Sequence, residues 1–123
     1  MQRYTIPLTT SAGGDATGYS PTVTGKINSV IYTKPAVTPF DAGVDFTVTV
    51  ESTGQTIWAQ SDVNASASVS PMQAAHTTAG AAALFAAGGT AILVPIVVVS
   101  DRVKVVVAQG GNVKLGSVTV VFE

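Results

Sequence analysis

Apolar and polar residues alternate with a period of two at several places along the chain, the mark of strands with one buried face. The clearest run is Asp45–Glu51, with Phe46, Val48 and Val50 pointing one way and Asp45, Thr47, Thr49 and Glu51 the other. Ser52-Thr-Gly54 supplies a turn. Gln55–Gln60 then returns, with Ile57 and Ala59 on one face and Thr56, Trp58 and Gln60 opposite. The pair predicts a β-hairpin with Trp58 on the face opposite Ile57, which leaves two readings open: an exposed ring, or the core or interface position that a lone tryptophan on a sandwich more often takes. Thr24–Lys34 predicts another strand, with Ile27 and Ile31 on one face and Val30 and Tyr32 on the other, hence covered on both sides.

A second hairpin is expected near the C-terminus. Arg102–Gln109 turns Val103, Val105 and Val107 inward, Gly110-Gly-Asn112 makes the turn, and Val113–Phe122 returns. In that return the apolar parity changes from Val113 and Leu115 to Val118, Val120 and Phe122, which predicts a β-bulge at Gly116-Ser117. Ile92–Ser100 is a nearly continuous apolar strand in which Pro95 marks a bulge or an edge. Residues 2–8 make a short strand ending near Pro7, and Thr9–Gly18 a glycine-rich turn region. With about seven to nine short strands and turn signals between them, residues 1–123 predict one all-β domain, an antiparallel β-sandwich or jelly roll. Its expected core is Phe46, Val48, Ile27, Ile31, Val103, Val105, Val107, Val120 and Phe122.

Ala74–Ala91 breaks the pattern. Alanine favours helix, so Ala79–Ala87 could form a helical turn capped by Gly88. Thr77, Thr78 and Gly80 oppose that reading, and a small-residue loop lying close against another backbone fits as well.

Composition sharpens the picture. The 123 residues carry 11% charge and no cysteine, against about 25% charge in an ordinary soluble domain. Two readings stay open: a Thr-rich or extracellular β-protein, and a subunit whose surface is covered by neighbours. A net charge of −1 gives no field for nucleic acid or an acidic membrane. No Asp, Glu, Lys or Arg falls between Asp62 and Asp101, yet the strongly apolar part, Ile92–Val99, is too short to span a bilayer. The start, Met1 to Pro7, has no apolar signal region.

Candidate chemistry is sparse. His76 is the sole histidine, and without cysteine it can build neither a Cys–His nucleophile nor an ordinary zinc site. No G-x-S-x-G elbow occurs. Asp41 and Asp45 flank Ala42-Gly43-Val44 and could approach Ca²⁺ with carbonyl help, but aspartates are also ordinary turn formers and the EF-hand spacing is absent. Gly13–Gly18 lacks the lysine and helix of a phosphate loop. Asn64-Ala-Ser66 matches the glycosylation pattern by chance if no secretory signal precedes it. Trp58, Tyr4, Tyr19 and Tyr32 are the aromatics that a sugar-binding face could use. No catalytic, cofactor-binding or metal-binding residue is assigned, and no cofactor is expected.

Several strings taken together resemble a known family: IPLTTSAGGDATGYSP, GKINSVIYTK, PFDAGVDFTVTVESTG, IWAQSDVNASA, AGAAALFAAGGTAILVPI and DRVKVVVAQGGNVKLGSVTV. Their order is similar to small proteins encoded among the virion-assembly genes of tailed bacteriophages and prophages. The resemblance runs over nearly the whole chain and brings no catalytic residues. It implies a place in the phage particle, with synthesis in the bacterial cytoplasm. The first role it suggests is capsid decoration, clamping the major capsid protein from outside. A tail, collar or head-fibre component is the second, and a glycan- or receptor-binding β-module is an alternative of another class. A homo-oligomer is expected, with no nucleic-acid or membrane partner. The uncharged segment 74–91 and residues 1–8 are expected to meet neighbouring subunits, through Tyr4, Ile6, His76, Ala82, Leu84 and Phe85.

Overall fold

A computed structural model describes residues 1–123. Eleven strands follow one another: β1 (Gln2–Thr9), β2 (Ala16–Tyr19), β3 (Val23–Tyr32), β4 (Asp45–Val50), β5 (Thr56–Gln60), β6 (Ala67–Val69), β7 (Met72–Ala74), β8 (Leu93–Pro95), β9 (Val97–Asp101), β10 (Val103–Ala108) and β11 (Leu115–Phe122). No helix is long and apolar enough to cross a membrane, and Ala79–Ala87 forms turns and bridges in place of the helical turn.

One sheet runs β1-β11-β3, with β6 and β9 both lying along the far side of β3; the other runs β2-β10-β4-β5. β6 takes Val30–Tyr32 of β3 and β9 takes Val23–Lys26, so the two together act as one edge strand interrupted at its middle. Counted that way, one sheet holds the first, eighth, third and sixth strands and the other the second, seventh, fourth and fifth. That is the order of a jelly roll, two Greek keys folded face to face. The chain is an all-β antiparallel sandwich of this kind.

The inward faces form one core, in which Val103, Val105 and Val107 of β10 meet Phe46, Val48 and Val50 of β4, with Val118, Val120 and Phe122 of β11 across the sandwich. Each such side chain contributes about 1.5–3 kcal/mol by leaving water. An aromatic group anchors it: the Phe46 ring lies 4.7 Å from Tyr32, 5.8 Å from Phe40 and 5.6 Å from Trp58, centre to centre.

The β4–β5 hairpin forms as expected, with Gly54 at φ 73° in its turn. Other expectations need correction. Trp58 is 9% exposed and stacks on Phe46. A register shift opposite Val48 and Thr49 makes Ile57 an extra residue, so Ile57 and Trp58 both turn inward and Ala59 faces water. Ile31 is half-buried on the outer side of β3, not in the core. A bulge at Asn28, between the pairs Ser29↔Val121 and Ile27↔Phe122, lets Ile27 and Val30 share the inner face.

The C-terminal hairpin is not a hairpin. β10 and β11 belong to opposite sheets, and residues 109–114 turn the corner between them. The buried Thr10 hydroxyl clamps that corner, donating to the Gly111 carbonyl at 2.8 Å and accepting from the Lys114 N–H at 2.7 Å. No bulge occurs at Gly116-Ser117, because β11 pairs with β1 in unbroken register from Leu115 to Phe122. The inward position there is Gly116, and the Phe40 ring occupies the space; an added Cβ would lie 2.4 Å from it. β1 continues through Pro7 to Thr9, tolerable because only one side of this edge strand is paired. β2 takes up the last residues of the stretch expected to be a turn and runs on to Tyr19. Ile92–Ser100 does break after Pro95: β8 pairs with β7, β9 with β3, and Ile96 between them is buried.

Candidate subunit interface

The break in the edge strand is where the segment between β6 and β9 leaves the sandwich. Its stem is the β7–β8 pair, with Met72 opposite Pro95, Gln73 opposite Val94 and Ala74 opposite Leu93. The Gln73 side chain accepts a hydrogen bond from the Gln55 amide at 2.5 Å, tying the stem to the other sheet. Beyond the stem three chains meet. The Ala75 N–H donates to the Ile92 carbonyl at 2.8 Å, the Ile92 N–H to the Ala83 carbonyl at 2.9 Å, and the Ala83 N–H to the Ala75 carbonyl at 2.7 Å. This closed ring of backbone bonds joins the stem to two short hairpins. One pairs His76 with Ala82 and turns at Gly80 (φ 81°); the other pairs Leu84 with Ala91 and turns at Gly88 (φ 70°). The result is a small plate of three two-stranded lobes, a trefoil in outline.

The trefoil explains the alanine-rich sequence. At the junction of the three backbones stand Ala75, Ala83 and Ile92, so two of the three side chains there are small. Both turn glycines adopt the left-handed conformation that costs a Cβ-bearing residue energy.

Directly paired residues share a face, and alternate residues along an extended chain return to it. Ala74 with Leu93, His76 with Ala82, and Leu84 with Ala91 therefore lie on one side of the plate, with Met72 and Pro95 beyond them. That side is open to solvent: Leu93 is 56% exposed, Met72 52% and Leu84 41%. Phe85 is on the reverse side and 75% exposed.

Of the expected interface residues, the structure thus brings His76, Ala82 and Leu84 onto one surface, with Phe85 behind them. It does not bring Tyr4 and Ile6 there, since β1 is the edge of its sheet opposite β6 and β9. Ile6 requires correction as an interface residue, because it is 2% exposed. Its side chain packs under β2, 2.6 Å from where a Cβ on Gly18 would stand. Tyr4 is half-buried, edge-on to Phe122 at 5.8 Å. Met72 and Leu93 were missed. Their signal in the sequence is two large apolar residues in an uncharged run just outside the Ala-rich stretch.

Charge is concentrated elsewhere. Arg102 grips Glu51 with two hydrogen bonds, at 2.5 and 2.7 Å, and its guanidinium lies 4.2 Å over the Tyr19 ring. The Arg102 hydrogen bond holds the Glu51 carboxyl below its usual range, and the Ser52 hydroxyl does the same for Asp101. On the trefoil, His76 is the only titratable side chain.

Other candidate groups are dispersed. Asp45 accepts the Asp62 N–H at 3.1 Å, Asp41 lies against Gly111, and no three His, Asp or Glu side chains gather as metal ligands would. Of the aromatics weighed for sugar binding, Trp58 and Tyr32 are in the core, where burial also raises the Tyr32 pKa. An open cleft of about 280 Å³ lies between Met1, Gln2, Thr24, Phe122 and Glu123. Family models, curated proteins and solved structures offer no match to this chain. What the trefoil surface can do is bind by shape and apolar burial.

Proposed function

We propose that this protein is a structural component of a tailed-bacteriophage particle, a decoration protein that binds the outside of the capsid shell. The observation that carries the reading is the uncharged trefoil, projected from a closed jelly-roll body with its apolar side chains in water. Its face, roughly 300 Å² in projection, is of the size of the largest apolar patch on an ordinary free-standing domain, which is often a functional one. The sequence resemblance supplies the virion setting, and the low overall charge accords with a surface largely covered in an assembly.

The test is to purify particles produced from the genome that encodes the chain and count its copies by quantitative mass spectrometry. Hundreds of copies per particle are expected. About six or twelve would shift the role to the tail or collar, and absence would remove the virion reading. Ala82→Glu should leave the isolated fold intact and reduce incorporation.

A further inference from the structure

We infer that the open side of the trefoil is a self-association surface, and that its occupant is the same side of a second copy of this chain. The inference stands on the shape and charge of the plate and survives if the virion reading falls; where that reading also holds, the particle takes up the dimer, which leaves the reverse side of the plate, with Phe85, and the body for the shell. The surface offers no charge for a partner to complement: Met72, Ala82, Leu84 and Leu93 are apolar, and His76 is the only polar group among them. A matching surface must itself be free of charge, since a Lys or Asp buried there would lose water without gaining a counter-ion. The same face of a second copy meets that condition without a further assumption, and a two-fold contact needs one self-complementary patch.

The area agrees. Three lobes of two strands, each about three residues long, at about 4.8 Å per strand and 3.4 Å per residue, make a face of roughly 300 Å² in projection. Two such faces, with side-chain relief, remove on the order of 800–1,000 Å² of accessible surface, below the range of stable specific contacts and in that of weak, transient ones. The expected product is a weak, reversible dimer with a dissociation constant on the order of 1–100 μM. Because no charges are involved, salt should barely change it.

The test uses the whole chain in sedimentation velocity, from about 1 μM to 1 mM, at low and high salt. A monomer–dimer equilibrium insensitive to salt is expected. Leu93→Glu should raise the dissociation constant at least about tenfold while circular dichroism stays unchanged. The chain has no cysteine, so a single introduced thiol reports proximity without interference. Ala82→Cys, Leu84→Cys and Leu93→Cys are made separately under mild oxidant. At least one should form a disulfide dimer well ahead of Val113→Cys, an exposed control at the sheet-to-sheet corner. A monomer throughout, or cross-linking no faster than the control, overturns the proposal. If the monomer still loads onto particles and Leu93→Glu abolishes loading, the trefoil binds the shell and not itself. If the dimer forms but the chain is absent from particles, the association stands and the virion role falls.

Discussion

At the scale of single residues, Phe46 holds most of the aromatic group together, touching Tyr32, Phe40 and Trp58. Phe46→Ala should cost about 3–5 kcal/mol, read from urea unfolding at unchanged slope. A loss under about 1 kcal/mol would mean that the aromatic cluster is not packed as described. Gly116 is the reverse case, since the Phe40 ring fills the space a side chain would need. Gly116→Ala should destabilise by about 1–3 kcal/mol through overpacking, and Phe40→Leu in the same chain should recover part of the loss. The alternation of Phe46, Val48, Val103, Val105 and Val107 was legible because each sits in a regular ladder. Trp58 and Ile31 were not, because a bulge reverses the facing of every residue beyond it. A parity change can also mean a glycine with another residue's ring over it, as at Gly116.

At the scale of elements, the trefoil should behave as a separable unit. The Ala75 N–H already donates to the Ile92 carbonyl, the hydrogen-bonded position on which a two-residue turn closes, so replacing residues 76–91 with Asn-Gly closes the stem as an ordinary two-residue hairpin. The shortened chain should keep its β-sheet circular dichroism and unfold within about 1–2 kcal/mol of the parent. By contrast, Ala83→Val puts a second branched side chain, beside Ile92, at the three-way junction. It should increase amide exchange across residues 75–92 and leave β10 and β11 protected. The Glu51–Arg102 pair and the Asp101–Ser52 contact bind strand ends together at the end of the sandwich away from the Gly110-Gly111 corner. Both carboxyls titrate below their usual values when folded, so the unfolded chain binds more protons as acid is added. Their stabilisation is complete at neutral pH and is lost as pH falls from about 4.5 downward, through the folded values. Melting temperature should therefore fall in that range, and less steeply in Glu51→Gln. The longer strands were legible from alternation or apolar runs; the short strands β2, β6 and β7 were not, and neither was sheet membership. A turn such as Gly110-Gly-Asn112 reads the same whether it closes a hairpin or crosses between sheets, and only distant contacts such as that of Thr10 decide. The trefoil was legible as uncharged and small-sided, but its ring of bonds joins backbones, which leave no residue pattern.

At the scale of the whole molecule, the first and last strands are neighbours: Gln2 lies opposite Phe122, and β11 sits between β1 and β3. That sheet cannot close until the ends of the chain meet. Folding should accordingly be slow for the chain's length, in milliseconds to seconds, as measured by stopped-flow tryptophan fluorescence. Trp58 is the only tryptophan and is packed on Phe46, so its signal follows core closure. A folding time of microseconds would contradict the dominance of these long-range pairings. The interrupted edge strand also has a mechanical meaning. Both ends of the trefoil enter the sheet at adjacent points along β3, one through β6 and the other through β9. Apart from the Gln55–Gln73 side-chain hydrogen bond, a pull on the trefoil, away from the sheet, reaches the body through these two half-strands. It loads their bonds to β3 in turn, outward from the gap, as a seam is ripped. A copy held by its trefoil would yield first by peeling this seam, would lengthen by the released chain, and would zip closed again when the force drops.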